Sequence, residues 1–217
     1  DGAVEEEISQ GVGRIAGHLG LSNFIMYYDS NNIQLSTKVD EVMTENVAMK
    51  YEAWGWNVLS VDGHNINEIR EALVAANSET ERPTLIIGRT VMGKGAKGPA
   101  GESFEDKVST HGQPLTAAGA DFAATVKNLG GDPNDPFAVF SESREALRAW
   151  ASRQAEVEKT WRAEHGDLAR KLDMFLSGRL PEIDYKSIEV KAGVATRAAS
   201  AAVLGVFAET IENMIVA

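Results

Sequence analysis

Residues 23–29, NFIMYYD, run almost without interruption through apolar side chains and stop at an aspartate. Strict alternation would mark a strand with one wet face. A continuous apolar run marks a strand covered on both faces, as parallel sheets require. Working outward, the same signature recurs at Asn57–Val61 and at 84–90, TLIIGRT. Helical stretches separate the three runs. Thr44 is placed to cap a helix reaching about Trp54 and ended by Gly55, and Asn65 to cap one over Ile66–Ala76. Ahead of the first run, Glu5–Leu19 carries Ile8, Val12, Ile15 and Leu19 at helical spacing, with Gly20 as the stop. Gly11, Gly13 and Gly17 weaken that helix in isolation but permit close packing. The order β-α-β-α-β predicts an α/β fold with an open, mainly parallel sheet flanked by helices.

Beyond the third run the pattern changes. Residues 91–115 are irregular and carry Gly93, Gly95, Gly98, Gly101 and Gly112. A loop of that length inside a compact domain is usually functional or disordered. A helix is expected over Thr116–Leu129, a turn-rich connection over Gly130–Pro136, and a highly charged helical arm from Ser141 to about Ser177, broken near Gly166. Residues 181–191 read as loose, and helix returns at Thr196–Met214. The expected organisation is an α/β domain over 1–130, a helical linker arm over 131–191, and the start of a further domain over 192–217.

Composition narrows the function classes. The 217 residues are 43% hydrophobic and 24% charged, as in a globular protein, with a net charge of −11. That charge argues against general affinity for nucleic acid or an anionic membrane. There is no cysteine, so disulfide, thiolate and cysteine-metal chemistry are excluded and a cytoplasmic location is expected. No apolar run approaches the roughly 18 residues of a membrane span. The chain opens on Asp1-Gly2 and stops in the apolar run 214–217, and both ends are expected to be cuts in a longer polypeptide.

Asp1-Gly2 precedes a helix, and Asn31-Asn32 follows the first strand. In an α/β sheet both pairs would lie at the carboxyl ends of strands, where ligands bind. Aspartate and asparagine offer hard oxygens suited to magnesium or calcium, which can accept diphosphate oxygens in turn. Gly2 lets the backbone approach closely and leaves helix N–H groups available to phosphate. The plainer reading of the same residues is a helix-start aspartate and a turn asparagine.

Longer stretches carry a resemblance. DGAVEEEISQGVGRIAGHLGLSNFIMYYDSNNIQLS, then KYEAWGWNVLSVDGH, then RTVMGKGAKGPAGESFEDKVSTHGQPL and finally VATRAAS resemble, in order, the transketolases, which are thiamine diphosphate enzymes. The shared features are an Asp-Gly with a glutamate five residues on, the Tyr-Asp-x-Asn-x-Ile strand end, the Asp-Gly-His turn, the glycine-rich loop closed by Ser/Thr-His-Gly, and an Ala-Thr-Arg. The resemblance implies a magnesium (calcium possible) site from the side chains of Asp1 and Asn31 and the carbonyl of Ile33. It implies cofactor contacts at Gly2, Leu35, Met92 and His111, substrate contacts at His111 and Arg197, and proton transfer at His111. Glu6 would join a carboxylate network across a homodimer interface, where shared protons couple the members. The implied reaction moves a two-carbon ketol unit between sugar phosphates. The activating glutamate belongs to a downstream domain of the partner subunit, so the segment alone is expected to be inactive.

Each residue keeps a structural reading beside the implied one. Glu6 is a first-turn glutamate, His111 a solvated loop histidine and Arg197 a surface residue at a helix start. His18 and His165 are expected as surface or packing residues, His64 in a structural turn, and Trp54 and Trp56 in the core. The alternation of acids and bases from Glu142 to Arg170 reads as a solvated helix face. Glu7, Ser30, Ser36-Thr37 and Lys94 depart from the family pattern, and Glu7 puts a second charge beside Glu6. A 1-deoxyxylulose-5-phosphate synthase, a dehydrogenase E1 subunit and a non-catalytic module of the same fold are the alternative readings.

Overall fold

The computed structural model describes residues 1–214. It divides into two compact units that meet between Ala138 and Val139. In the first unit the strands β1 (Ile25–Ser30), β2 (Asn57–Asp62) and β3 (Thr84–Arg89) form a parallel sheet in the order β1-β3-β2. The expected open sheet is therefore present, with the last strand in the middle. Residues 84–88 of β3 are all buried. Their side chains alternate between the faces. Leu85 and Ile87 join Val4, Ala16, Tyr28, Val47, Tyr51 and Trp56 on one side, while Ile86 meets Ala72 and Ala76 on the other. The continuous apolar reading of this strand was thus correct.

Helix α1 (Gly2–Glu5) and helix α2 (Glu7–His18) replace the single helix expected over Glu5–Leu19. The break falls at Glu6, whose backbone is extended (φ −64°, ψ 136°). The Glu5 carbonyl accepts the side-chain amide of Gln10 at 2.9 Å, and α2 starts on the Glu6 carbonyl. With only four residues, α1 offers no extended helix terminus to phosphate.

Helix α2 also turns the opposite face inward from the one its aliphatic stripe predicts. Ile8, Val12, Ile15 and Leu19 are 78%, 50%, 60% and 61% exposed, while Gly13 and Ala16 are buried. The reason is close approach. The Trp56 indole N–H donates to the Gly13 carbonyl at 2.8 Å, and a β-carbon on Gly17 would stand 1.8 Å from the Trp54 carbonyl oxygen. Only small residues fit between α2 and this aromatic wedge, where Trp56 meets Phe24 and Tyr51 edge-on. Trp56 and Trp54 pack in the core as expected.

Helices α3 (Val47–Ala53) and α4 (Ile66–Ser78) connect the strands. Asn65 caps α4 as predicted. The α3 cap is Asn46 rather than Thr44, its side chain accepting the Met49 N–H at 3.1 Å. Helix α5 is confined to Phe122–Asn128, because residues 114–119 form turns ending at Gly119 (φ 107°), and Asp121 caps it through the Ala124 N–H at 2.7 Å. The glycine-rich segment has its own small core of Ala96, Phe104 and Ala120.

In the second unit, α6 (Ser141–Glu164) and α7 (Gly166–Leu176) form the charged arm, interrupted at His165 beside the expected Gly166. Arg162 joins Glu158 at 2.7 Å and Asp173 at 3.0 Å, linking the two helices. Helix α8 covers Thr196–Thr210, shorter than the stretch expected to Met214. The last part of the segment 192–217, residues 215–217, lies outside the described residues. No described helix is long and apolar enough to cross a membrane.

Two glycines of α2 separate the packing account from simple helix propensity. Gly17→Ala should destabilise the protein by about 2–3 kcal/mol, because the Trp54 backbone cannot yield cheaply. Gly11→Ala, with nothing within 4 Å of the added carbon, should stabilise it by about 0.5–1 kcal/mol. Urea unfolding of both variants checks this, and a neutral Gly17→Ala would contradict the close approach.

Candidate functional site

Parallel pairing sets the three strand ends level. Ser30 and Asp62 are both in register with Arg89, so the segments leaving β1, β2 and β3 start from one edge of the sheet. Asp1 is fixed at this edge. The Tyr28 hydroxyl donates to its Oδ1, and the Asn31 N–H donates to its Oδ2 at 3.0 Å. Asn31 is 9% exposed; its Oδ1 accepts the Ile33 N–H at 2.9 Å, and its Nδ2 donates to Asp29 at 3.3 Å. Ile33 is fully buried and pairs with Lys38 in a small antiparallel bridge. Asn32 takes a left-handed backbone (φ 62°) and exchanges two hydrogen bonds with Asp40, of 3.3 and 3.2 Å. These contacts hold residues 31–40 as a tight hairpin with Leu35, 73% exposed, near its tip.

Three of the predicted residues come together around this hairpin. Asp1, Asn31 and Ile33 form one bonded set, and Gly2 faces Gln34, where an added β-carbon would lie 3.7 Å from the side chain. Leu35 reaches the glycine-rich segment, its Cδ1 standing 3.0 Å from a β-carbon built on Gly112, next to His111. Met92 is half-buried, and its carbonyl accepts the Asp106 N–H at 2.9 Å. Lys38 reaches the same aspartate at 3.5 Å, joining hairpin to loop. His111 follows a short helical turn over Val108–Thr110, and its Nδ1 is buried without a hydrogen-bond partner. Buried polar atoms are nearly always paired, so a lone nitrogen here fits a partner supplied by a bound molecule.

Glu6 and Arg197 make none of these contacts. Glu6 is exposed at the break between α1 and α2. Its neighbour Glu5 is the half-buried one, with an unpaired buried Oε1, and its charge helps hold the Tyr28 phenol proton. Arg197 is exposed in the first turn of α8, in the second unit. An apolar hollow of about 290 Å³ opens beside Asp1, but Val4, Met26, Tyr27 and Tyr51 line it, and neither Leu35 nor His111 does.

The electrostatics favour neutral Tyr27 and Tyr28 and an ionised Glu105. Burial pushes the Tyr28 phenol up; a hydrogen bond with Ser30 opposes this, and Glu5 and Asp29 add to it. Tyr27 is also raised, by burial and then by Asp29 and Asp62. Glu105 is held below the usual glutamate range, chiefly because it accepts the Gly95 N–H at 2.7 Å, with Lys94 and Lys97 helping. Among the described residues no three acidic or histidine side chains converge on a cation position. A cation at Asp1 would therefore rest on one carboxylate and neutral oxygens, the hard donor set that magnesium and calcium accept.

Sequence reasoning passed over Tyr28, the donor to Asp1, and placed His64 in a structural turn without its bond, in which the ring accepts the Val91 N–H at 2.9 Å. Both sit inside quoted motifs, and their bonds depend on strand register rather than on local pattern.

The fold is an α/β domain whose candidate site lies at the carboxyl edge of a parallel sheet, the edge at which such sheets bind their ligands. The family model described as transketolase, thiamine diphosphate binding domain, matches residues 1–179, and the chain belongs to that family. It is 33% identical over 229 residues to transketolase 2 of Xanthobacter flavus, covering 99% of this chain and 32% of the relative. Against the transketolase of Geobacillus stearothermophilus it is 32% identical over 228 residues, covering 99% and 33%. The crystal structure of transketolase from Campylobacter jejuni aligns with a TM-score of 0.77 at 32% identity, covering 98% of this chain and 32% of that one. Transketolase of Pichia stipitis in complex with sedoheptulose-7-phosphate aligns with a TM-score of 0.81 at 28% identity and the same coverage. The chain thus spans about a third of the length of these relatives. The alternative thiamine diphosphate enzymes and the non-catalytic module are not favoured.

Tyr28→Phe removes a donor to a charged acceptor, and such bonds are worth about 1.5–3 kcal/mol. Unfolding free energy should fall by that amount, and by much less when Asp1→Ala is already present. Absence of coupling in this double-mutant cycle would show that the bond contributes nothing. The phenol pKa is raised on folding, so the stability resting on neutral Tyr28 is complete below the ordinary value of 10.0 and is lost as pH rises through the folded value.

Proposed function

We propose that residues 1–130 are the diphosphate- and metal-binding part of a transketolase that, in the intact enzyme, moves a two-carbon ketol unit from a ketose phosphate to an aldose phosphate. One observation carries the reading. Asp1 and Asn31, thirty positions apart in sequence, are bonded at the strand edge at 3.0 Å, where the Asp-Gly and Tyr-Asp-x-Asn motifs of the family coincide. Thiamine diphosphate, when bound, supplies the nucleophilic carbon and the electron sink for the ketol unit.

The chain's own residues bind, orient and move protons. Asp1 and Asn31 through side-chain oxygens, and Ile33 through its carbonyl, hold magnesium, with calcium as a substitute. Gly2 leaves backbone room for the diphosphate. Leu35 and Met92 give the cofactor an apolar flank that excludes water. His111 contacts diphosphate and substrate and carries a proton at a ring nitrogen, a task suited to imidazole near neutral pH. Arg197 binds the substrate phosphate, since a guanidinium matches its geometry. Glu6, exposed here, joins a carboxylate network with the partner subunit of a homodimer. The uncovered aliphatic stripe of α2 supports that assembly, together with an apolar hollow of about 200 Å³ between Ile8, Val12, Phe24 and Trp56. Residues 131–191 act as a linker arm and residues 192–217 open the pyrimidine-binding domain. The cysteine-free composition suits a reducing cytoplasm. Because the chain spans about a third of its relatives' length, these 217 residues alone should show no ketol transfer.

Titration of the intact enzyme with thiamine diphosphate, followed by tryptophan fluorescence, tests the site. Asp1→Ala and Asn31→Ala should each weaken magnesium-dependent binding at least about tenfold, and chelation should mimic them. Cofactor binding indifferent to magnesium and to both substitutions would overturn the assignment, as would ketol transfer by the 217-residue chain.

A further inference from the structure

The turn after β2 is fixed on both sides. The Gly63 N–H donates to the Arg89 carbonyl at 2.8 Å, and the His64 N–H to Asp62 Oδ1 at 2.9 Å. Glu68 ties the turn to α4, accepting the Asp62 N–H and the Asn65 side-chain amide, both at 2.8 Å. Gly63 sits so close to β3 that a β-carbon there would stand 2.4 Å from Thr90 Cγ2. From this ledge the His64 ring reaches the exit of β3, where Nε2 accepts the Val91 N–H at 2.9 Å. An N–H donor needs a lone pair, so Nε2 is unprotonated and the ring proton sits on Nδ1. Thr90 is tied to β1 through its N–H to the Ser30 carbonyl (3.1 Å) and its hydroxyl to Asp29. Met92 is tied to the far end of its own loop through Asp106. The Val91 amide, by contrast, is held by a side chain rather than by backbone.

We propose that His64 is a positioning residue: its neutral imidazole holds the start of the glycine-rich loop through the Val91 amide and so fixes Met92, which rests on the cofactor-site reading above. A second proton on the ring would turn the acceptor into a donor facing another donor, and the tie would be lost.

Hydrogen exchange read by mass spectrometry on the peptide spanning residues 90–95 of the intact enzyme tests the tie directly, alongside thiamine diphosphate titration. His64→Ala should speed exchange and weaken cofactor binding by about fivefold, the worth of one neutral hydrogen bond. His64→Gln places an oxygen near the Nε2 position and should restore both. Unchanged exchange in His64→Ala, or failure of His64→Gln to restore protection, overturns the proposal. If His64→Ala does not fold, His64→Phe, which keeps the ring volume and lacks the acceptor, takes its place with the same expected outcome. The expected exchange behaviour in an enzyme with no affinity for thiamine diphosphate would refute the cofactor reading and leave the positioning role of His64 standing.

Discussion

Everything at the strand edge depends on β3 pairing in parallel with both of its neighbours. A parallel strand cannot be reached by a tight turn, so helices must cross over the faces, and both faces must then be apolar. β3 meets that demand with Leu85 and Ile87 on one side and Ile86 on the other. The pairing also fixes the ends. Once Ser30, Asp62 and Arg89 share a register row, three loops of unrelated sequence leave the sheet side by side. Asp1 can then bond the Asn31 amide, and His64 the Val91 amide, although neither pair is close in sequence.

The site is held mainly by backbone bonds and short polar side chains rather than by ion pairs. Asp1 leans on a phenol and an amide, Asn31 on the amide of Ile33, and Glu105 on the amide of Gly95. The one ion pair joining hairpin to loop, Lys38 with Asp106, is long and partly exposed, and such pairs contribute little. Oxygens held in this way keep their positions at little further entropic cost to any ligand, because their ordering took place during folding. The whole arrangement stands on a core packed through small residues, with Gly13, Ala16 and Gly17 against the indoles of Trp54 and Trp56.

The sheet was legible because continuous apolar runs admit few other readings, and the motifs point to Asp1, Asn31 and Ile33, which the fold joins by hydrogen bonds. What periodicity could not supply was the direction of α2. Its aliphatic stripe predicts one inward face, and steric access to Trp54 and Trp56 selects the other. Nor could local pattern find the break at Glu6, where the Gln10 side chain takes the place of a helical donor. Cap positions slipped by two residues at Asn46 because Thr44 and Asn46 are equally able acceptors and tertiary packing chooses between them. Tyr28 and His64 were invisible as partners because their bonds cross strands or join loops, which register alone determines.

The uncovered stripe of α2 has a consequence for how the molecule behaves in bulk. A helix that spends its small residues on the core and leaves Ile8, Val12, Ile15 and Leu19 in water ties folding to the law of mass action. Anything that covers those side chains binds the native chain and not the unfolded one, so the melting temperature should climb with the concentration of whatever covers them.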